Sequence, residues 1–196
     1  IFSNAFNMLD GKDGLLGSVS VVIMSSLLLL LYFNGLIYQW GQIVALSTLI
    51  YLAFNMNLFG QKRKIFLGDH GSTGLGHIVG WSLIFLSQET DFVTPVSALW
   101  FVLLPLTDAI LTFTRRLNSS RSVFQGDRLH IHHKLSDYGF SDHMIVLICS
   151  SISIIGCSIA ILSNLFGYKE YLLFYAYITL LIMMALQASV KPKQND

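Results

Sequence analysis

Long apolar runs broken by short polar stretches dominate this chain. Crossing the roughly 30 Å of bilayer hydrocarbon takes about 20 mostly apolar residues in an α-helix. Six segments approach that length: about Leu15 to Phe33, Trp40 to Leu58, Ser72 to Leu86, Val93 to Phe113, Met144 to Phe166 and Tyr171 to Ala188. The third is the shortest and carries His77 and several glycines. Lipid offers the backbone no hydrogen bonds and the runs are too long for barrel strands, so helices are expected. Tyr32, Tyr38, Trp40, Tyr168 and Tyr171 fall at the predicted ends, where amphipathic rings suit the headgroup layer. The expectation is an all-α integral membrane protein, a bundle of about six transmembrane helices.

Composition sharpens this picture. With 54% hydrophobic and 12% charged residues and a mean hydropathy of +0.63, the chain is too apolar for a soluble domain of its size. No low-complexity tract or internal repeat divides it, so residues 1–196 read as a single membrane-embedded domain. The net charge of +1 says little, but its distribution says more. With six crossings, Lys12, Lys62, Arg63, Lys64, Arg115, Arg116, Arg121, Arg128, Lys134, Lys191 and Lys193 share one face and only Lys169 lies opposite. The positive-inside rule makes that basic face cytoplasmic. The opposite loops, 34–39, 87–92 and 167–170, are short turns. The chain opens at Ile1 with a polar motif close behind, which is expected of an N-terminally shortened chain. Acidic and amide groups in the first dozen residues exclude a signal peptide. Cys149 and Cys157 lie in one apolar run without metal-ligand spacing and read as small buried hydrophobes.

Three polar segments fall on the basic face. The first, Asn4-Ala5-Phe6-Asn7-Met8-Leu9-Asp10-Gly11-Lys12-Asp13-Gly14-Leu15, combines hard oxygen donors with glycines that admit close backbone approach. A polar turn capping a membrane helix accounts for the same residues. The second, Ile65-Phe66-Leu67-Gly68-Asp69-His70-Gly71-Ser72, sets a carboxylate among glycines at a helix mouth, suited to Mg²⁺ and phosphate. An N-cap followed by a small-residue packing face at Gly76 and Gly80 is the alternative. The third, residues 114–142, contains Arg128-Leu129-His130-Ile131-His132-His133-Lys134. If Asp127 caps a short helix ending before Gly139, His130, His133 and Lys134 share one face, and Arg128 and His132 a neighbouring one. A phosphate clamp ranks ahead of contact with anionic headgroups, and a zinc site last, because finger-like ligand spacing is absent. His77 reads as a hydrogen-bonded bundle residue. Asp108, a carboxylate near the inner end of a span, is a functional candidate or the partner of a nearby arginine.

Taken in order, Asn-Ala-Phe-Asn-Met-Leu-Asp-Gly-Lys-Asp-Gly-Leu, Phe-Leu-Gly-Asp-His-Gly-Ser, Pro-Leu-Thr-Asp and Arg-Leu-His-Ile-His-His resemble the polyprenyl-phosphate N-acetylhexosamine-1-phosphate transferases, of the glycosyltransferase 4 type. The His-Ile-His-His form is similar to the branch that uses UDP-N-acetylglucosamine or related sugars. The resemblance implies cytoplasmic catalytic loops, a multi-pass setting in a bacterial inner membrane, and transfer of a sugar-1-phosphate from a UDP-sugar to undecaprenyl or other polyprenyl phosphate. UMP is then released and Mg²⁺, or Mn²⁺ in its place, is the cofactor. It implies metal-binding roles for Asn7 and Asp69 and an acidic pair, Asp10 and Asp13, around the nucleotide. Phe66 matches a uracil-stacking position; Asn4 and Asp108 join it as substrate-binding candidates. Arg128, His130, His132 and His133 match the loop that grips pyrophosphate and sugar.

The implied partners are a UDP-N-acetylhexosamine, a polyprenyl phosphate and the membrane, with a homo-oligomer admissible and no nucleic acid. The family's earlier Asp-Asp motif and upstream spans have no counterpart, so the chain resembles the C-terminal part of such an enzyme. Two other readings stay open. A transporter would place ionisable groups near the bilayer midplane, whereas here they gather in loops. A non-catalytic membrane fragment would share every feature read so far.

Overall fold

The computed structural model describes residues 2–118 and 130–189. Within them the chain forms nine α-helices, one short 3-10 turn at Gln61–Arg63 and no strand. They are α1 (Phe2–Leu9), α2 (Leu15–Phe33), α3 (Gln39–Asn55), α4 (Gly68–Glu89), α5 (Pro95–Phe101), α6 (Leu103–Asn118), α7 (Ile131–Asp137), α8 (Asp142–Leu165) and α9 (Glu170–Ser189).

The all-helical expectation holds, and a helix stands at each predicted span. By length and composition, however, among the described residues only α2 and α8 qualify as membrane-crossing on their own, and a bent α5–α6 pair makes a third. The helix α3 has 17 residues, about 25 Å of rise. The first turn of α4 carries Gly68, Asp69 and His70 instead of apolar side chains. The predicted span from Val93 to Phe113 is not one helix. It bends by 86° between α5 and α6. Pro95 occupies the first turn of α5, where Thr94 caps the helix by accepting Ser97 N–H at 3.1 Å. Pro105 lies in the first turn of α6, a position where its missing N–H costs little. Backbone groups freed at the break find new partners: the Cys157 thiol on α8 lies 3.7 Å from the Phe101 carbonyl.

The helix α2 is the axis of the bundle. Leu16, Val19, Ile23, Leu27 and Leu30 are buried at helical spacing, and α2 packs between α3 and α8. The helix α1 lies against α4 because Gly76 and Gly80 leave room for it. A Cβ at Gly76 would sit 2.7 Å from the Phe6 Cβ, and one at Gly80 would sit 2.9 Å from the Phe2 ring. The small-residue face read in the sequence therefore exists, and its partner is α1. The helix α9 is tied to the break by Trp100 Nε1, which donates to the Leu173 carbonyl at 3.2 Å. Outward-facing Ile43, Leu46, Leu49 and Ile50 on α3, and Leu147, Ile154 and Leu162 on α8, are exposed, as expected of faces turned to lipid.

Candidate active site

Docking α1 onto α4 aligns two of the polar segments. Phe2 and Phe6 fill the glycine face, which turns Asn7 toward the start of α4. There the Ser72 hydroxyl donates to Asn7 Oδ1 at 2.6 Å. Ser72 is fully buried, so this bond fixes the amide of a predicted metal ligand against the helix that carries the other, Asp69. Asp69 stands exposed in the first turn of α4, where the helix dipole favours a negative charge.

The turn joining α1 and α2 brings Asp10 and Asp13 to the same end of the bundle. The Asp10 carboxyl is pushed above the usual carboxylate range, first by partial burial, then by the negative charges of Asp69 and Asp13. Three carboxylates from two loops thus form one electronegative cluster. Lys64 approaches Asp13 at 2.5 Å, and its ammonium lies 4.9 Å from the ring centroid of Phe66. That ring is 72% exposed, an aromatic face held open beside the acidic cluster. Lys12 reaches Asp142 at the start of α8 at 2.6 Å. Both ion pairs are partly solvated and worth little each, but they tether the loops.

The two loops are also stitched from below. Gly14 enters α2 with φ +79°, a left-handed conformation that favours glycine, and donates its N–H to Asn55 Oδ1 at 2.6 Å. The same side chain donates from Nδ2 to the Ile65 carbonyl at 3.0 Å.

The third segment folds differently from the sequence expectation. The short helix begins at Ile131, with His130 as its N-cap residue; Asp127 and the site candidate Arg128 lie outside the described residues. His130 therefore does not share a helical face with His133. Its ring instead stacks parallel on His132, 5.9 Å between centroids, and His132 meets His133 at 4.1 Å. Asp108 on α6 anchors the row: Oδ2 lies 2.9 Å from His130 Nδ1, and Oδ1 accepts the Ile131 N–H at 2.8 Å. Both oxygens of Asp108 are thus engaged inside the protein.

His132 is 1% exposed and neither ring nitrogen has a hydrogen-bond partner among the described residues. Burial, followed by the neighbouring His133, pushes it down to about 4, so it is neutral near pH 7. It packs directly on Gly11: a Cβ there would collide with His132 Nε2. This contact joins the histidine row to the acidic turn.

Asn7, Asp10, Asp13, Asp69, Asp108, His130 and His132 thus each have a contact or charge interaction with another of the three segments or its anchor, and His133 packs on His132 within its own segment. Asn4 is exposed on α1, and Phe66 is held by its own loop. Three contributors escaped sequence reading. Asn55 sits at the end of an apolar helix, and a buried amide there was the available signal. Ser72 and Gly11 lay inside recognised motifs, but their partners could not be read from spacing. Among the described residues no three His, Cys, Asp or Glu side chains converge as a ready-made metal cage.

Beside the histidine row, α6, α7, α8 and α9 line a half-open cavity of about 470 Å³. Leu104, Leu111, Ile152 and Leu180 are among its apolar walls; Asp108, Arg115 and Lys134 form its polar end. Lys134 is pushed below the usual lysine range by burial and then by Arg115, with Asp108 opposing.

Comparison with known proteins agrees with the motif resemblance. Residues 1–87 match the model of glycosyl transferase family 4. The chain is 36% identical over 164 residues to an undecaprenyl-phosphate alpha-N-acetylglucosaminyl 1-phosphate transferase of Escherichia coli (strain K12), covering 82% of this chain and 45% of that protein. Proteins of the same name from Yersinia pestis (38% over 160 residues; 78% and 44% covered) and Pasteurella multocida (strain Pm70) (39% over 167 residues; 84% and 47% covered) are similar. The chain therefore spans slightly under half the length of these curated relatives. No solved structure matches it.

Proposed function

We propose that this chain, whose first 87 residues match glycosyl transferase family 4, forms the donor-binding and metal-binding half of a membrane enzyme. That enzyme transfers N-acetylglucosamine-1-phosphate, or a related N-acetylhexosamine-1-phosphate, from its UDP derivative to undecaprenyl or another polyprenyl phosphate. The reaction belongs on the cytoplasmic face of a bacterial inner membrane and begins a lipid-linked surface glycan. One observation carries the reading: hard oxygen donors (Asn7, Asp10, Asp69), an open aromatic face (Phe66) and the histidine row anchored on Asp108 meet at one end of an apolar bundle.

In this reading an oxygen of the lipid phosphate attacks the β-phosphorus of the UDP-sugar. The bond to the bridging oxygen breaks and UMP leaves with the electron pair. Such transfer depends on charge neutralisation and alignment more than on covalent help. The donor set suits Mg²⁺ or Mn²⁺, which takes one or two protein oxygens and completes its shell with water and phosphate. Asn7 and Asp69 would hold the cation, and Asp10, raised by burial and then by neighbouring negative charge, would gain from its presence. When bound, the cation would neutralise charge building on the phosphate oxygens. Phe66 would stack the uracil. The histidines need not act as bases, since a phosphate monoester with a second pKa of about 6 is largely ionised near neutrality. The cavity lined by α6, α7, α8 and α9, apolar with Arg115 and Lys134 beside Asp108 at its polar end, suits an isoprenoid chain that carries a phosphate.

The test is UMP release by the full-length protein in mixed micelles with polyprenyl phosphate and UDP-amino sugars. Turnover that requires Mg²⁺ and is nearly abolished by Asp69→Asn is expected. Absence of UMP with every UDP-amino sugar would remove the transferase reading, and undiminished Asp69→Asn activity across Mg²⁺ concentrations would remove the ligand role.

A further inference from the structure

We infer that Asn55 is a positioning residue that sets the distance between the acidic turn carrying Asp10 and Asp13 and the loop carrying Phe66 and Asp69. The inference rests on the transferase reading for its functional consequence, but not for its geometry.

Asn55 closes α3 and is only 4% exposed. An uncapped amide in that setting would be costly, and both of its ends are satisfied. Oδ1 accepts from Gly14 N at 2.6 Å, across 41 residues of sequence, and Nδ2 donates to the Ile65 carbonyl at 3.0 Å. The amide places an acceptor and a donor about 2 Å apart on one short stem, which is what this bridge uses. Its two attachment points are informative. Gly14 follows Asp13 directly and is held at φ +79°, while Ile65 precedes Phe66 directly.

The neighbourhood repeats the pattern. Met56 fills the space a Cβ on Gly14 would need, with its Cγ 2.8 Å from that position. Tyr51, one turn earlier on α3 and 8% exposed, meets the Leu67 backbone and lies within electrostatic reach of Asp10 and Asp13. The last turn of α3 is therefore a platform on which both loops rest. No substrate atom needs to touch Asn55. Its effect passes through the separation of the three carboxylates and the Phe66 ring, which decides whether one metal ion and one uridine diphosphate can be held together.

The experiment uses the full-length protein in detergent, comparing wild type with Asn55→Leu, which keeps the branched shape without the donor and acceptor, and Asn55→Ser, which keeps a smaller polar group. Hydrogen exchange across residues 10–16 and 63–69 and Mn²⁺ affinity are measured without turnover; donor KM, lipid KM and Mg²⁺ half-activation are measured with it. Asn55→Leu is expected to speed exchange in both loops, to weaken Mn²⁺ binding and to raise donor KM by about 5- to 10-fold, the loss of one or two net hydrogen bonds. Lipid KM and exchange in α8 should change by less than about 2-fold. If Asn55→Leu does not fold, Asn55→Ser carries the same expectations at smaller size. Unchanged Mn²⁺ affinity and donor KM, with only a smaller active fraction, would overturn the inference. A wild type that binds Mn²⁺ but releases no UMP would defeat the transferase reading alone, and the exchange and Mn²⁺ shifts would still decide on Asn55.

Discussion

The Asp108 carboxylate receives His130 Nδ1 at 2.9 Å on one oxygen and the N–H of the next residue, Ile131, at 2.8 Å on the other. A carboxylate accepts only, so the proton of a neutral His130 belongs on Nδ1, which leaves Nε2 as the acceptor of the ring. The same carboxylate sits at the N-terminus of α7 and orients the helix that carries His132 and His133. Asp108→Asn would offer one acceptor where two donors arrive and would push the proton to Nε2. Turnover at saturating substrate is expected to fall on the order of 10²-fold, a cost typical of a misplaced catalytic group. Initial rates of UMP release, with gel filtration to confirm folding, check this. A rate within about 3-fold of wild type would show that Asp108 does not set the His130 geometry.

Gly11 and His132 touch across 121 residues of sequence, and the absence of a side chain at Gly11 is what permits it. Gly11→Ala is expected to lower both stability and activity, because its Cβ would collide with the buried imidazole. Shortening His132 should relieve the clash. A double-mutant cycle of Gly11→Ala and His132→Ala should therefore show a coupling of about 0.5–3 kcal/mol in thermal or denaturant stability. Strict additivity would mean that the two loops do not meet here.

How far the sequence disclosed this arrangement depended on the range of the forces involved. The apolar runs located α2, α8 and α9 within a few residues, because burial in lipid acts on each segment by itself. The bend between α5 and α6 was hidden inside a mostly apolar stretch of spanning length, although Pro105 is placed as a first-turn proline of a fresh helix. The face at Gly76 and Gly80 was legible as small residues, but its partner α1 was not. The three motifs supplied the candidate chemical groups, and the structure brings several of them to one end of the bundle. What escaped were the joints between them: Ser72 to Asn7, Asn55 to Gly14, and His132 to Gly11. Each is a single contact between residues distant in sequence, and no local pattern encodes it.

His132 also predicts a dependence of stability on pH. Its folded value lies at about 4, against 6.5 for an ordinary histidine, so the unfolded chain takes up a proton over a range where the folded protein refuses it. Stability from this group is complete above pH 6.5 and is lost as pH falls from 6.5 toward 4. The full loss amounts to roughly 3 kcal/mol. The melting temperature of wild type in detergent should therefore drop more between pH 7.5 and pH 5 than that of His132→Gln, whose side chain does not titrate. Equal slopes in the two proteins would mean that His132 is protonated or solvated in the folded state.

Phe66 offers the cleanest test of how the donor is held, because its ring is exposed and makes no contribution to the core. Removing it should leave the fold intact. Stacking of a nucleobase on an aromatic ring is worth about 1–3 kcal/mol, so Phe66→Ala is expected to raise donor KM by roughly 5- to 100-fold. Phe66→Tyr, which keeps the π-face, should stay within about 3-fold of wild type, whereas Phe66→Leu, apolar but without that face, should resemble Phe66→Ala. The Lys64 ammonium above the ring adds a control. Lys64→Met removes the charge from both Asp13 and the ring, so it should alter donor KM through the acidic cluster while leaving the preference for an aromatic at position 66 in place. Titration of uridine diphosphate onto each full-length variant measures this without turnover. Equal affinities for Phe66→Leu and Phe66→Tyr would show that the base does not stack at this position.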